Sequence, residues 1–111
     1  MAKDMKIGML MDFYGQLLTD KQYDALDMYY NQDLSLAEIA EESSISRQGA
    51  RDFIKKGEKQ LNEYEEKLGL VKRFNDITKQ IAEMNAIIDG LPYGSETERL
   101  KEISRKLSEE I

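Results

Sequence analysis

Hydrophobic positions recur at spacings of three and four along nearly the whole chain, the signature of helices that each bury one face. Over residues 5–18, Ile7, Leu10, Met11, Tyr14, Leu17 and Leu18 make one such face and predict a first helix. Thr19 with Gln22 forms a capping box, in which the hydroxyl accepts from a free backbone N–H and the amide reaches back. It predicts a second helix over about 20–31 with Tyr23, Leu26 and Tyr30 turned inward. Ser35 with Glu38 repeats the device and predicts a short helix over about 36–42. Ser43 to Ser46 interrupt it, and Ser46 caps a long helix that starts near Arg47.

That long helix carries a seam of Ala50, Ile54, Gly57, Leu61, Tyr64 and Leu68, alternating by four and three, which suits packing against a partner helix. Gly57 leaves a notch where another backbone can approach. Gly69 either ends the helix or bends it. From Leu70 the pattern resumes through Phe74, Ile77, Ile81, Met84 and Ile88 and stops at Asp89-Gly90, before Leu91-Pro92. A third capping box, Ser95 with Glu98, predicts a last helix with Leu100, Ile103, Leu107 and Ile111 on one stripe. The expectation is an all-α fold of about six helices.

Composition narrows the chemistry. The 111 residues include one proline and seven glycines, too few for a turn-rich sandwich or barrel. No cysteine and no histidine are present, so a thiol nucleophile, a disulfide and the usual zinc site are excluded. The commonest general base is missing too. The carboxylates are numerous, but no pair stands out, and no glycine-rich phosphate loop accompanies them. The reading is therefore not an enzyme, with no cofactor and no metal. Apolar runs are too short for a transmembrane helix, and Lys3, Asp4 and Lys6 follow Met1 where a signal peptide would need an apolar stretch. A cytoplasmic protein without membrane insertion is expected.

The net charge is −6, a poor starting point for nucleic-acid binding. Its distribution says more. Residues 20–43 carry seven acids against Lys21 alone, whereas residues 44–60 carry Arg47, Arg51, Lys55, Lys56 and Lys59 against Asp52 and Glu58. A single basic stretch in an acidic chain is a candidate site. The plainer alternative is a solvated face whose bases pair with neighbouring acids.

The stretch falls within a helix-turn-helix spacing. Ala40 is the small residue at the helix crossing, and Ile39, Ile45, Ala50 and Phe53 or Ile54 fill the apolar positions. Ser44 occupies the turn position that often holds glycine. With Ala50, Phe53 and Ile54 inward, Arg47, Gln48, Arg51, Asp52 and Lys55 face outward. Arg47 and Gln48 lie in the first turn, where a recognition helix reaches base edges, and Arg suits guanine as Gln suits adenine. Arg51, Lys55 and Lys56 suit phosphates, and Ser46 can present helix N-terminal N–H groups to one. Gly49 and Asp52 count against tight binding: the first loosens the helix by about 1 kcal/mol relative to Ala, and the second repels phosphate. Tyr14, Tyr23, Tyr29, Tyr30 and Tyr64 sit mostly at core spacing, and an aromatic platform for RNA bases is their alternative use.

Asp12-Phe13-Tyr14, Leu18-Thr19, Lys21-Gln22, Tyr29-Tyr30, Ser35-Leu36, Glu38-Ile39-Ala40, Ser46-Arg47-Gln48-Gly49, Ile54-Lys55 and Tyr64 to Leu68 together resemble the YlxM family of small bacterial helix-turn-helix proteins. The resemblance covers roughly residues 5–74. It implies a helix-turn-helix similar to region four of sigma factors and a Firmicutes origin. It also implies a regulatory link to the signal recognition particle pathway, because family members are usually encoded beside that pathway's GTPases. No enzymatic activity or cofactor comes with it. Candidate contacts carried over are Ser46, Arg47, Gln48, Arg51 and Lys55. The chain is thus read as a helix-turn-helix domain over 1–68, with its motif at about 35–56, and a helical extension over 69–111. That extension either packs back or forms a homodimer together with the long helix. DNA is the expected partner. The alternative is an accessory that meets the protein or RNA of the signal recognition particle and has no DNA target.

Overall fold

The structure is a computed structural model and describes residues 2–111. Six α-helices follow one another: α1 Ile7–Tyr14, α2 Asp20–Tyr30, α3 Leu36–Glu42, α4 Arg47–Leu68, α5 Leu70–Asp89 and α6 Ser95–Glu110. No strand occurs among the described residues. The chain divides into two compact units, the first ending at Val71 and the second spanning Lys72–Ile111.

In the first unit α1, α2 and α3 all pack against α4. The contact face of α4 is the early part of its seam: Ala50, Ile54, Gly57 and Leu61 are buried, Tyr64 is half-buried, and Leu68 leaves the core at 56% exposure. Facing them are Ile7, Leu10, Met11 and Tyr14 of α1, Ala25, Leu26 and Tyr29 of α2, and Ile39 and Ala40 of α3. The notch at Gly57 receives a side chain rather than a backbone. A methyl group at Gly57 would stand 2.7 Å from Cδ1 of Leu26, which is itself fully buried.

Both expected capping boxes at Thr19–Gln22 and Ser35–Glu38 are formed in full. The first helix is shorter than its apolar pattern, however. It ends at Tyr14, and Gly15–Leu17 tighten into a 3-10 turn before Leu18 becomes extended. The inward set of α2 is also rotated. Tyr29 is buried while Tyr23 is 39% exposed. Gly15 accounts for Tyr23: the ring lies over that glycine, where a Cβ would come within 2.9 Å of Cε2.

Gly69 ends α4 outright, in the left-handed conformation at φ 62° with its N–H bonded to Glu65 O. The next two N–H groups would be orphans at the start of α5, and tertiary contacts satisfy them. Tyr14 Oη accepts from Leu70 N–H at 3.0 Å, and Glu65 Oε1 accepts from Val71 N–H at 3.0 Å. Tyr14 in turn donates to Glu65 at 2.5 Å. These bonds hold the first residues of α5 to the N-terminal unit.

The second unit is a helical hairpin. Asn85 of α5 is hydrogen-bonded by the buried hydroxyl of Ser104 on α6. The expected third capping box is absent: Ser95 is already helical, the N-cap is Gly94, and no side chain caps it. Thr97 instead donates to Pro92 O at 2.6 Å, tying the first turn of α6 to the connection. The stripe Leu100, Ile103, Leu107 and Ile111 is 40–44% exposed rather than buried. Ile81 and Ile88 are the buried large apolar residues of this unit.

Replacing Gly57 by Ala tests the notch. Alanine favours a helix interior by about 1 kcal/mol, whereas overpacking a well-filled core costs about 1–3 kcal/mol. With Leu26 unable to retreat, Gly57→Ala is expected to lower unfolding stability by about 1 kcal/mol or more in urea denaturation.

The neutral phenol of Tyr30 supplies a pH test. Burial first, and then the neighbouring Glu58 carboxylate, push its pKa from 10.0 up to about 12, against the opposing bond from Asp4 N–H. A folded value above the unfolded one gives stability that is complete below about pH 10 and is lost as pH climbs towards 12. The urea midpoint should fall across that window, and Tyr30→Phe should make the fall shallower.

Candidate nucleic-acid interface

The turn between α3 and α4 sets the site. Ser43 N–H bonds to Ile39 O at 2.9 Å and Ile45 N–H to Ala40 O at 3.0 Å, while Ser44 turns the chain at φ 55°. Serine takes the left-handed conformation that the glycine-favouring position requires, at a cost of about 1–2 kcal/mol. Ile39 and Ala50 are fully buried and Ala40 nearly so, which lets α3 and α4 cross closely. Ile54 is the fully buried member of the Phe53–Ile54 pair, and Phe53 and Ile45 are half-buried at the core's edge.

Ser46 then caps α4, its hydroxyl accepting from Gly49 N–H at 2.9 Å. Gly49 has a local reason to be small. A Cβ there would sit 3.1 Å from that hydroxyl oxygen and 3.7 Å from Ile45 Cβ. The cap keeps the first turn of α4 open to the outside.

Ser46, Arg47, Gln48, Arg51, Lys55 and Lys56 are all exposed on the N-terminal half of α4. Among the described residues, no carboxylate lies within ion-pairing distance of Arg47, Arg51, Lys55 or Lys56. Six bases elsewhere are paired: Lys3 with Asp33, Lys72 with Asp76, Arg99 and Lys106 with Glu102, Lys101 with Glu98, and Arg105 with Glu109, whereas Lys6, Lys21, Lys67, Arg73 and Lys79 also stand without an ion pair among the described residues. Three of the five acids of α4 are engaged by other groups, while Glu63 and Glu66 stay exposed. Glu58 accepts from Tyr30 Oη at 3.1 Å and Glu65 from Tyr14 Oη at 2.5 Å. Asp52 accepts from Gln48 Nε2 at 2.9 Å. That bond orients the Gln48 amide along the helix towards Asp52.

Lys59 is missing from the expected contact set. It is exposed, lies one turn beyond Lys55, and has no ion-pair partner among the described residues. The same four-residue spacing that links Arg47, Arg51 and Lys55 extends to it. The tyrosines are occupied structurally. Tyr14 and Tyr29 are buried, Tyr30 is half-buried with its hydroxyl on Glu58, and Tyr64 reaches Leu17 O at 3.4 Å. No stacking platform is formed by them.

The acidic side of the unit serves folding. The N–H and then the hydroxyl of Ser35 hold the Glu38 carboxyl below its usual range. Asn31 and then Gln32 do the same for Asp27. Among the described residues, no group of three or more acids could hold a metal ion. No helix is long and apolar enough to cross a membrane.

These features define an all-α helix-turn-helix protein with an unpaired basic face on α4. Residues 1–105 match the family described as "Putative helix-turn-helix protein, YlxM / p13 like", and the chain belongs to that family. A UPF0122 protein of Desulforamulus reducens is 44% identical over 96 residues, covering 86% of this chain and 82% of the relative. One of Acetivibrio thermocellus is 42% identical over 111 residues, covering 100% of this chain and 95% of the relative. One of Clostridium kluyveri is 41% identical over 111 residues, spanning both chains completely.

Ser44 offers a test that leaves every basic residue untouched. Ser44→Gly relieves the left-handed strain and should raise unfolding stability by about 1 kcal/mol. Ser46→Ala removes the cap and should lower it by about 1 kcal/mol. Thermal denaturation followed by circular dichroism reads both.

Proposed function

We propose that the chain is a DNA-binding regulatory protein, its helix-turn-helix similar to sigma region four, associated with the signal recognition particle pathway in the bacterial cytoplasm. The observation that carries the reading is the row of exposed, unpaired bases on α4, directly behind a helix-turn-helix turn. A solvated basic face that served solubility alone would be expected to pair with the abundant acids, as the bases of α6 do. Unpaired cations exchange bound counterions for phosphates, which favours binding through release of those ions.

In this reading Arg47 and Gln48 approach base edges in the major groove, and Arg51, Lys55 and Lys56 neutralise phosphates. Ser46 holds the helix start, whose free N–H groups add a further phosphate contact. Asp52 limits affinity, and its bond to Gln48 places the burden of base discrimination on Arg47. Two copies would present two such helices, as a two-fold operator requires. The protein does no chemistry on its partner. The link to the targeting pathway rests on the family resemblance, and with it comes a second reading. The same basic face would there meet the particle's RNA backbone or an acidic protein surface, and no DNA target would exist.

Titration of the purified protein against random-sequence duplex DNA and against signal recognition particle RNA, each at two salt concentrations, separates the readings. DNA affinity should fall with salt at a logarithmic slope of about −0.9 per phosphate contacted. Arg51→Ala with Lys55→Ala should weaken binding to every sequence. Arg47→Ala should also relax preference at one base position, by about 1–3 kcal/mol. DNA binding that is absent, or indifferent to salt, would overturn the proposal, and RNA binding alone would establish the accessory role.

A further inference from the structure

The outward side of α4 changes sign part-way along the helix. From Arg47 to Lys59 it carries five exposed bases against one exposed acid, Asp52. From Gln60 to Leu68 its exposed charges are Glu63, Glu66 and Lys67. Glu58 and Glu65 take no part in this face, because both accept from tyrosine hydroxyls on the core side.

A helix turns about 100° per residue. The direction opposite the buried seam of Ala50, Ile54, Gly57 and Leu61 is therefore occupied in turn by Gln48, Asp52, Lys59, Glu63 and Glu66. Lys59 is the base of α4 on that outermost line, with Lys55 and Lys56 to either side of it. Glu63 follows Lys59 by about 6 Å along the axis and Glu66 by about 10 Å. Neither acid is in an ion pair among the described residues.

A phosphate backbone lying along α4 is thus attracted as far as Lys59 and meets uncompensated like charge beyond it. Each DNA strand carries a charge about every 3.4 Å of helix axis, so a backbone continued past Lys59 cannot avoid both carboxylates. The run from Arg47 to Lys59 is about 18 Å long, more than the roughly 12 Å width of the major groove. With Arg47 among base edges, Lys59 reaches the backbone that bounds the groove.

We propose that Lys59 makes the last phosphate contact of α4 and that Glu63 and Glu66 end the DNA footprint there, the rest of the helix leading away from the duplex. This rests on the DNA-binding reading and adds to it a residue and a boundary.

Lacking an ion pair does not single out Lys59, since Lys67 is exposed and lacks one too among the described residues. The two lysines lie on opposite sides of Glu63 and Glu66, and that difference supplies the test. The full chain is titrated against random-sequence duplex DNA by fluorescence anisotropy over a series of salt concentrations. Lys59→Ala should make the logarithmic salt slope shallower by about 0.9, and Lys59→Arg should keep the original slope. Lys67→Ala, the same loss of charge about two turns further on, should leave the slope unchanged. Glu63→Gln with Glu66→Gln removes the repulsion and should tighten binding by about threefold at low salt and less at high salt. All four positions are exposed, and circular dichroism checks that each variant stays folded. A wild-type chain that does not bind DNA overturns the DNA reading and the boundary with it. A slope that responds to Arg51→Ala with Lys55→Ala but not to Lys59→Ala, or that responds equally to Lys67→Ala, overturns the boundary alone. Affinity indifferent to the loss of both carboxylates does the same.

Discussion

Leu26 seated against the bare backbone of Gly57 is the contact on which the N-terminal unit depends. It lets α2 lie close along α4, and only then do Ala50, Ile54 and Leu61 become fully buried together. Since α1, α2 and α3 all pack against α4, the rotation of α4 about its own axis is set by this face. The opposite face is left in water with its arginines and lysines. The exposed basic face is thus a by-product of core packing: the residues that meet solvent are those the seam excludes.

The same helix sorts its charges. Its acids Glu58 and Glu65 sit towards the core side and accept hydrogen bonds from Tyr30 and Tyr14. Burial raises the pKa of both phenols and keeps them neutral donors. The acids are thereby withdrawn from competition for the bases, which keep no ion-pair partner. A chain of net charge −6 can in this way present a locally positive surface. At the turn, Ser44 carries backbone strain and Ser46 returns part of it through its cap. Gly49, which looks like a weakness in a helix, gives that cap room.

The second unit follows a different economy. Its inter-helix contact includes a buried polar pair, Ser104 with Asn85, and its apolar residues line a groove instead of filling a core. A buried polar contact fixes the register of the hairpin but supplies little driving force.

Local information determined much of this protein. Six helices, the caps at Thr19, Ser35 and Ser46, the motif from α3 into α4 and the exposure of the basic residues of α4 were legible because capping and 3.6-residue periodicity involve only near neighbours in sequence. Those rules do not weigh distant contacts. They placed Tyr23 inward, whereas the ring settles over Gly15 and Tyr29 is buried instead. They proposed a cap at Ser95, whereas Ser95 is already helical behind the N-cap Gly94 and Thr97 bonds to Pro92 O. They set Leu100, Ile103, Leu107 and Ile111 on one stripe of α6 and left its cover open, because periodicity states which residues share a face and not whether anything covers it. Tertiary structure alone decided that Tyr14 caps α5 across more than fifty residues of chain, that Leu26 fills the notch, and that the bases of α4 stand unpaired. Each depends on two side chains brought together by the packing of helices far apart in sequence, and helical spacing contains no measure of that distance.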